Sequence, residues 1–269
     1  MKTKIITACM YIFISVAAFI SVFPLYWMAV SATNRSVDVI RGTLLPGAYL
    51  LNNWTALLAS QNVAQALINT FRNASMLTIF SLLICSLAGY GFEIYHSKAK
   101  DRLMGVLLLA MMVPFAATIV PLFRLFATMN MINTTAAFML PMVSTPFLIM
   151  LFRQSARSFP HDIIEAARID GLNELQIFFR MFIPTMRPTY AAAMVIVFMN
   201  GWNNYLWPRV IMITDDSVTM PMLVANLVAG YVTDFGVLML AVLITSLPTI
   251  VLFFMLQRYF AEGITGAVK

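Results

Sequence analysis

Residues 159–184 read FPHDIIEAARIDGLNELQIFFRMFIP and carry the densest run of charge in the chain. Long apolar runs that suit only a bilayer lie on both sides, so this segment is structured backbone held outside the lipid. Ser158 is placed to cap a first helix, with Pro160 in its first turn, where a missing N–H does no harm. Glu165 and Arg168 stand at i,i+3, a pairing worth about 0.2–0.5 kcal/mol. Gly171 falls where a left-handed residue would end that helix. Asn173 then caps a second helix, with Leu175, Phe178, Phe179 and Phe182 on its apolar face and Glu174, Gln176 and Arg180 on the wet side. Pro184 closes the unit. Ala166 and Ala167 lack bulk, so another protein's surface could approach their backbone closely. Two readings stay open on physics alone: an amphipathic linker lying in the interface, or a docking element for a soluble partner.

Working outward, 61% of the 269 residues are hydrophobic and only 10% are charged, with mean hydropathy +0.86. Soluble domains carry about a quarter charged residues, so the chain is an all-α integral membrane protein. The net charge of +6 does not imply nucleic acid, because its placement matters more than its size. Cys9 and Cys85 lie within apolar runs and suggest neither a disulfide nor a metal site.

Six stretches reach the roughly 20 residues needed to cross a hydrocarbon core. They are 8–30, 71–92, 103–123, 133–152, 188–208 and 236–257 in a single domain, 1–269. The first is too long for a signal peptide's apolar core and reads as a retained anchor. With both termini cytoplasmic, 12 of the 17 basic residues fall inside, among them Lys98, Arg102, Arg153, Arg168, Arg180 and Arg258. Only Arg35, Arg41, Arg72, Arg124 and Arg209 fall outside or at the outer rim. The charged loop at 158–184 is then cytoplasmic.

The spans also say how energy is not supplied. No Asp, Glu or His lies at mid-span, which argues against a proton-coupled carrier. No glycine is followed by lysine, so the P-loop is missing too. An intramembrane enzyme would need a convergent nucleophile, base or metal cluster, and the spans offer none. Pro114, Pro121, Pro141, Pro146 and Pro248 mark bends. Ser81, Cys85 and Gly89 form a small-residue ladder suited to close helix approach. Outside, 210–234 holds an apolar stretch, 222–228, too short to span. It is expected to lie against the outer face or dip back into the protein.

The fifth span ends in Asn200-Gly201-Trp202-Asn203-Asn204-Tyr205-Leu206-Trp207-Pro208. Amides exchange hydrogen bonds with hydroxyls and aromatic faces cover apolar C–H patches, so this end suits sugars. Asn200, Trp202, Asn203, Asn204 and Tyr205 are the candidate path residues. Asn200 and Asn203 are expected to face the bundle interior, and Trp207 is assigned to the interfacial aromatic belt.

Glu165-Ala166-Ala167, three residues, Gly171, nine residues and Met181-Phe182-Ile183-Pro184 resemble the EAA loop of bacterial ABC-importer permeases. Met181 and Ile183 depart from that pattern while staying apolar. The W-N-N-Y-L-W-P segment and the tail from Gln257 to Lys269 are similar to MalG-type carbohydrate permeases. The resemblance implies a type I ABC importer permease fold: six spans with a cytoplasmic coupling helix, in the bacterial inner membrane. It implies an ABC ATPase dimer docked on Glu165, Ala166, Ala167, Asp170, Gly171 and Pro184, and also contacting Gly263, Thr265 and Gly266 of the tail. It further implies a MalF-like second permease, an extracytoplasmic solute-binding protein, a sugar or oligosaccharide cargo, and no cofactor or covalent chemistry in this chain. Glycerol-phosphate, polyamines or a self-contained secondary carrier are the alternatives.

Overall fold

The structure, a computed structural model, describes residues 2–230 and 232–266. Every regular element among the described residues is helical. α1 (Lys2–Ser31), α2 (Ser36–Ile40) and α3 (Leu50–Ser60) open the chain. α4 (Val63–Ile94) runs for 32 residues, longer than a hydrocarbon core requires. α5 (Lys98–Ala110) is capped by Ser97, whose hydroxyl accepts the Lys100 N–H, and α6 (Phe115–Thr128) restarts after Pro114. α7 (Thr135–Met139), capped by Thr134, and α8 (Pro146–Ala156) follow. α9 (His161–Ile169) and α10 (Glu174–Ile177) form the charged loop, continued by a π-helical turn, Phe178–Phe182, and α11 (Ile183–Thr185). α12 (Arg187–Trp202), α13 (Leu206–Ile211), α14 (Met220–Val228) and α15 (Phe235–Gly266) complete the chain.

Among the described residues, three helical stretches are long and apolar enough to cross a membrane by themselves: Cys9–Ser31, Val63–Ile94 and Phe235–Gln257. Two more qualify when bent pairs are joined, α5 with α6 at 96° and the α10–α11 segment with α12 at 84°. The stretch 133–152, read as one span, is divided between α7 and α8. Its two prolines explain the division. Pro141 has no N–H to donate, and Pro146 holds Thr145 in extended backbone at φ −96°, ψ 134°. At the α5–α6 corner, Pro114 is likewise extended, at ψ 133°.

One compact unit comprises Met1–Ala64 and Met222–Pro248. Most of α1 is exposed, as a lipid-facing helix should be, but Val30, Ser31, Ala32 and Asn34 at its end are buried. There the Asn53 amide donates to the carbonyls of Ala32 and Asn34, both at 2.9 Å. Gly236 sits so close that a Cβ on it would lie 2.5 Å from the Asn34 carbonyl oxygen.

The other unit, Gln65–Pro221 with Thr249–Lys269, is built on α4. Its buried face alternates small and polar side chains: Asn69, Thr70, Asn73, Thr78, Ser81, Cys85 and Ser86. The Ser81–Cys85–Gly89 ladder is a packing surface, because a Cβ on Gly89 would lie 2.6 Å from Phe152 Cβ and 2.7 Å from Arg153 N. At the other end, the Asn69 amide donates to the Asp216 and Val218 carbonyls at 2.7 and 3.0 Å, and Thr70 accepts from Met220 N–H. Asn133, at φ 63°, accepts from Ile213 N–H, Thr214 N–H and the Ser217 hydroxyl. The loop before α14 is therefore fastened at both edges.

Candidate functional site

The charged loop is a rigid helix–turn–helix. α9 ends in a Schellman turn: Leu172 N–H donates to the Ala167 carbonyl and Gly171 N–H to the Arg168 carbonyl, each at 3.0 Å. Gly171 takes φ +80°, which a side chain would resist. Asn173 and Gln176 then form a reciprocal capping box, both bonds at 2.9 Å. Two local expectations change. Pro160, not Ser158, occupies the N-cap position, and the Ser158 hydroxyl turns back to the Ser155 carbonyl. Arg168 pairs with Glu174 across the turn, Nε to Oε1 2.8 Å, instead of with Glu165. The turn reverses the chain and brings the two charges together, a closeness that i,i+3 spacing along one helix does not report.

The inward face is an aromatic core. Ile164 and Ala167 of α9 pack with Ile177, Phe178, Phe182, Phe159, Ala156 and Met186. Tyr90 of α4 enters the same cluster, its ring 5.5 Å from Phe178 and 5.0 Å from Phe182 in edge-on contacts. The expected apolar face is therefore rotated. Ile177, Phe178 and Phe182 are buried, while Leu175 in α10 and Phe179 in the π turn are exposed. Of the alanine pair, Ala167 is buried and only Ala166 faces out. Glu165, Asp170, Gly171 and Pro184 are exposed, and Ile169 is 87% exposed between Arg168 and Asp170. That outward face offers an apolar knob flanked by charges of both signs.

Beside the loop, Arg153 of α8 is only 4% exposed. It reaches Glu93 at the end of α4 (3.1 Å) and Asp101 in the first turn of α5. His96 and Arg157 flank these carboxylates. Burial works against the Arg153 charge, but hydrogen bonds to Asp101 and Glu93 outweigh it, and its pKa rises. The same guanidinium lowers the Asp101 pKa. At the turn, the hydrogen bond to Arg168 lowers the Glu174 pKa, and the hydrogen bond to Glu174 raises that of Arg168. Tyr95 is pushed up by burial and by the Glu174 carboxylate. Sequence reading missed this network. An arginine ending an apolar run reads as a surface anchor, and only the fold brings Glu93 and Asp101 to it.

The path candidates separate into two sets. Asn200 and Asn204 line a cavity of about 300 Å³ with Met142, Thr145, Phe147 and Ile196, and none of its lining side chains is ionisable. Asn203 and Tyr205 are exposed outside that lining. Trp202 is buried, stacked on Phe198 at 5.6 Å, with Gly201 fitted against Ala74 and Leu77 of α4. Trp207 is fully buried rather than in an aromatic belt, its indole N–H donating to the Ala137 carbonyl at 3.0 Å. The break after Trp202 turns its ring into the protein. Gly263, Thr265 and Gly266 continue the helical backbone of α15, and their side-chain contacts lie outside the described residues, as do Ala267 to Lys269.

Residues 81–266 match the family model of the binding-protein-dependent transport system inner membrane component. The chain is 43% identical over 259 residues to the lactose transport system permease protein LacG of Rhizobium radiobacter, covering 96% of this chain and 95% of that protein. It is 33% identical to the arabinooligosaccharides transport system permease protein AraQ of Halalkalibacterium halodurans, covering 94% and 92%. A bacterial ABC transporter involved in the import of the acidic polysaccharide alginate contains a chain of the same fold. Its TM-score is 0.82 at 18% identity, over 96% of this chain and 97% of that one.

Proposed function

The chain belongs to the binding-protein-dependent transport inner membrane component family, and from that premise we propose that it carries a neutral sugar or oligosaccharide through the bacterial inner membrane. It is a membrane-embedded permease of an ABC importer, a transport component rather than an enzyme. Such an importer includes an ATPase, a second permease and a solute-binding protein. In our reading this chain crosses the membrane six times, and a MalF-like second permease pairs with it to line the path. The termini and the 158–184 loop face the cytoplasm, following the bias of basic residues. The ATPase dimer docks on the outward face of α9, around Glu165, Ala166, Asp170 and Gly171, with the tail at Gly263, Thr265 and Gly266 beside it.

The observation that carries this reading is the construction of the loop. Capping box, Schellman turn and aromatic core make its inner side rigid, while Ile169, Glu165 and Asp170 remain open to a partner. A rigid lever with an open end converts closure of an ATPase dimer into movement of the spans. For cargo, two sugar permeases are similar over nearly the whole chain. A cavity that presents amides and a hydroxyl without ionisable groups favours a neutral saccharide over a phosphorylated or cationic solute.

The test is uptake by the complete complex in proteoliposomes, against a panel of labelled neutral sugars, glycerol-phosphate and a polyamine. ATP-dependent accumulation of a neutral sugar is expected. Uptake confined to the charged solutes, or uptake without the ATPase, overturns the reading.

A further inference from the structure

Two connections lead from the coupling loop into the membrane. One follows the chain, through the π turn Phe178–Phe182 and α11, and bends by 84° before entering α12. The other is lateral. Arg168, on α9, holds Glu174, the first residue of α10, at 2.8 Å. The Tyr90 ring from α4 packs edge-on against the stacked rings of Phe178 and Phe182, with its hydroxyl 3.5 Å from Glu174 Oε2. The chain-continuous route contains a π turn and a sharp corner, both places where helices yield. The lateral route contains buried rings and an ion pair. Tyr90 also belongs to the cluster that buries Ile164 and Ala167 of α9, so displacing α9 without α4 would open that core.

We propose that Tyr90 and the Arg168–Glu174 pair are positioning residues that join α9 to α4, so that α4 receives the movement of the coupling loop ahead of α12. This rests on the reading of the loop as the ATPase's docking element. α4 is a suited recipient. Its Gly89 fits against Phe152 and Arg153 of α8, so its inner end moves with α8, and its Leu77 lines the same cavity as Asn200. A push on Tyr90 therefore reaches the wall of the path along a single uninterrupted helix, Val63–Ile94. The Tyr90 contribution lies in its ring, since a hydroxyl at 3.5 Å from its acceptor is at the edge of hydrogen bonding.

The experiment measures ATP hydrolysed per sugar imported by the whole complex in proteoliposomes. Arg168→Glu and Glu174→Arg are each expected to raise that ratio about five- to tenfold, the size of coupling changes seen for networked residues. The double swap, R168E with E174R, should return it to within about threefold of wild type, because the pair is restored in reverse. Tyr90→Ala should uncouple as the single reversals do, and Tyr90→Phe should stay near wild type. Subunit stoichiometry after purification shows that each complex is assembled. Gly171→Val serves as the separate test of the loop itself. If Gly171→Val uncouples while the reversals and Tyr90→Ala keep the wild-type ratio, the lateral tie is overturned and the loop's role stands. A double swap no better than either single also overturns the tie. If Gly171→Val itself transports normally, the failure is in the reading beneath.

Discussion

Arg153 and Glu93 meet at 3.1 Å where α8 crosses the end of α4, and the arginine is nearly out of reach of solvent. Its guanidinium also bonds Asp101, so three helices share one buried cation. Removing one partner of a buried pair costs about 3–5 kcal/mol, mostly because the remaining charge is stranded. Glu93 and Asp101 keep 19% and 44% side-chain exposure, which places Arg153→Met toward the lower end of that range. Thermal unfolding of the detergent-purified complex should show a clear loss for Arg153→Met and a smaller one for R153M with E93Q. If the double variant is the less stable of the two, the stranded-charge account is wrong.

Acid should loosen the coupling turn before it unfolds the spans. The hydrogen bond from Arg168 holds the Glu174 pKa below its ordinary 4.5. A carboxyl whose folded pKa is depressed adds stability above its unfolded pKa and loses it as pH falls through the folded one. The pair is therefore intact from neutral pH down to about 4.5 and fails below that, while Arg168, its own pKa raised, stays charged throughout. Both side chains are more than a third exposed, so the contribution is screened and modest. Hydrogen exchange over 161–177, corrected for intrinsic rate, should show protection dropping below about pH 4.5 in wild type and no such step in Glu174→Gln. The same step in both proteins would assign the acid response elsewhere.

Local chemistry was legible in the sequence wherever a residue acts on its own backbone. Gly171 and Asn173 sit in the turn and the cap that their types demand. Gly89 and Cys85 mark a close approach, as small side chains at i,i+4 do. What sequence could not show is decided across the fold. Arg168 had an acidic neighbour at i−3 and another at i+6, and only the reversal at Gly171 favours the second. Helical spacing placed Leu175 and Phe179 inside, whereas the fold buries Ile177 with Phe178 and Phe182 and leaves those two exposed. Trp207 was read from residue type, which says that an indole prefers an interface but not that the fold has buried it, and Trp202, read as a path residue, is buried against Phe198.

Gly171 offers a clean separation between backbone strain and crowding. At φ +80° nothing lies within 4 Å of where a Cβ would stand. A substitution there is opposed only by conformation, about 1–2 kcal/mol for an ordinary residue and less for Asn, which tolerates the left-handed region. Gly171→Asn should therefore import sugar at near wild-type efficiency, and Gly171→Val should hydrolyse ATP with little import. Equal import by the two variants would show that the left-handed turn does not position the docking face.

The cavity amides should respond differently, because only one of them is committed to the protein. Asn204 donates to Met142 Sδ at 3.0 Å and accepts from Trp207 N–H at 3.3 Å, so it ties the end of α12 to α13. Asn200 is exposed at the cavity and has no hydrogen-bond partner among the described residues, which leaves both ends of its amide for a sugar hydroxyl. Losing one such bond, with the hydroxyl left unpaired, costs about 1–2 kcal/mol, or roughly tenfold in affinity. Asn200→Leu should raise the sugar concentration for half-maximal uptake by about that factor and leave thermal stability unchanged. Asn204→Leu should instead lower the unfolding temperature, because the Trp207 N–H loses its acceptor. If Asn200→Leu destabilises the complex, or if its uptake matches wild type across the concentration range, the sugar does not meet α12 at this amide and the path lies against another helix.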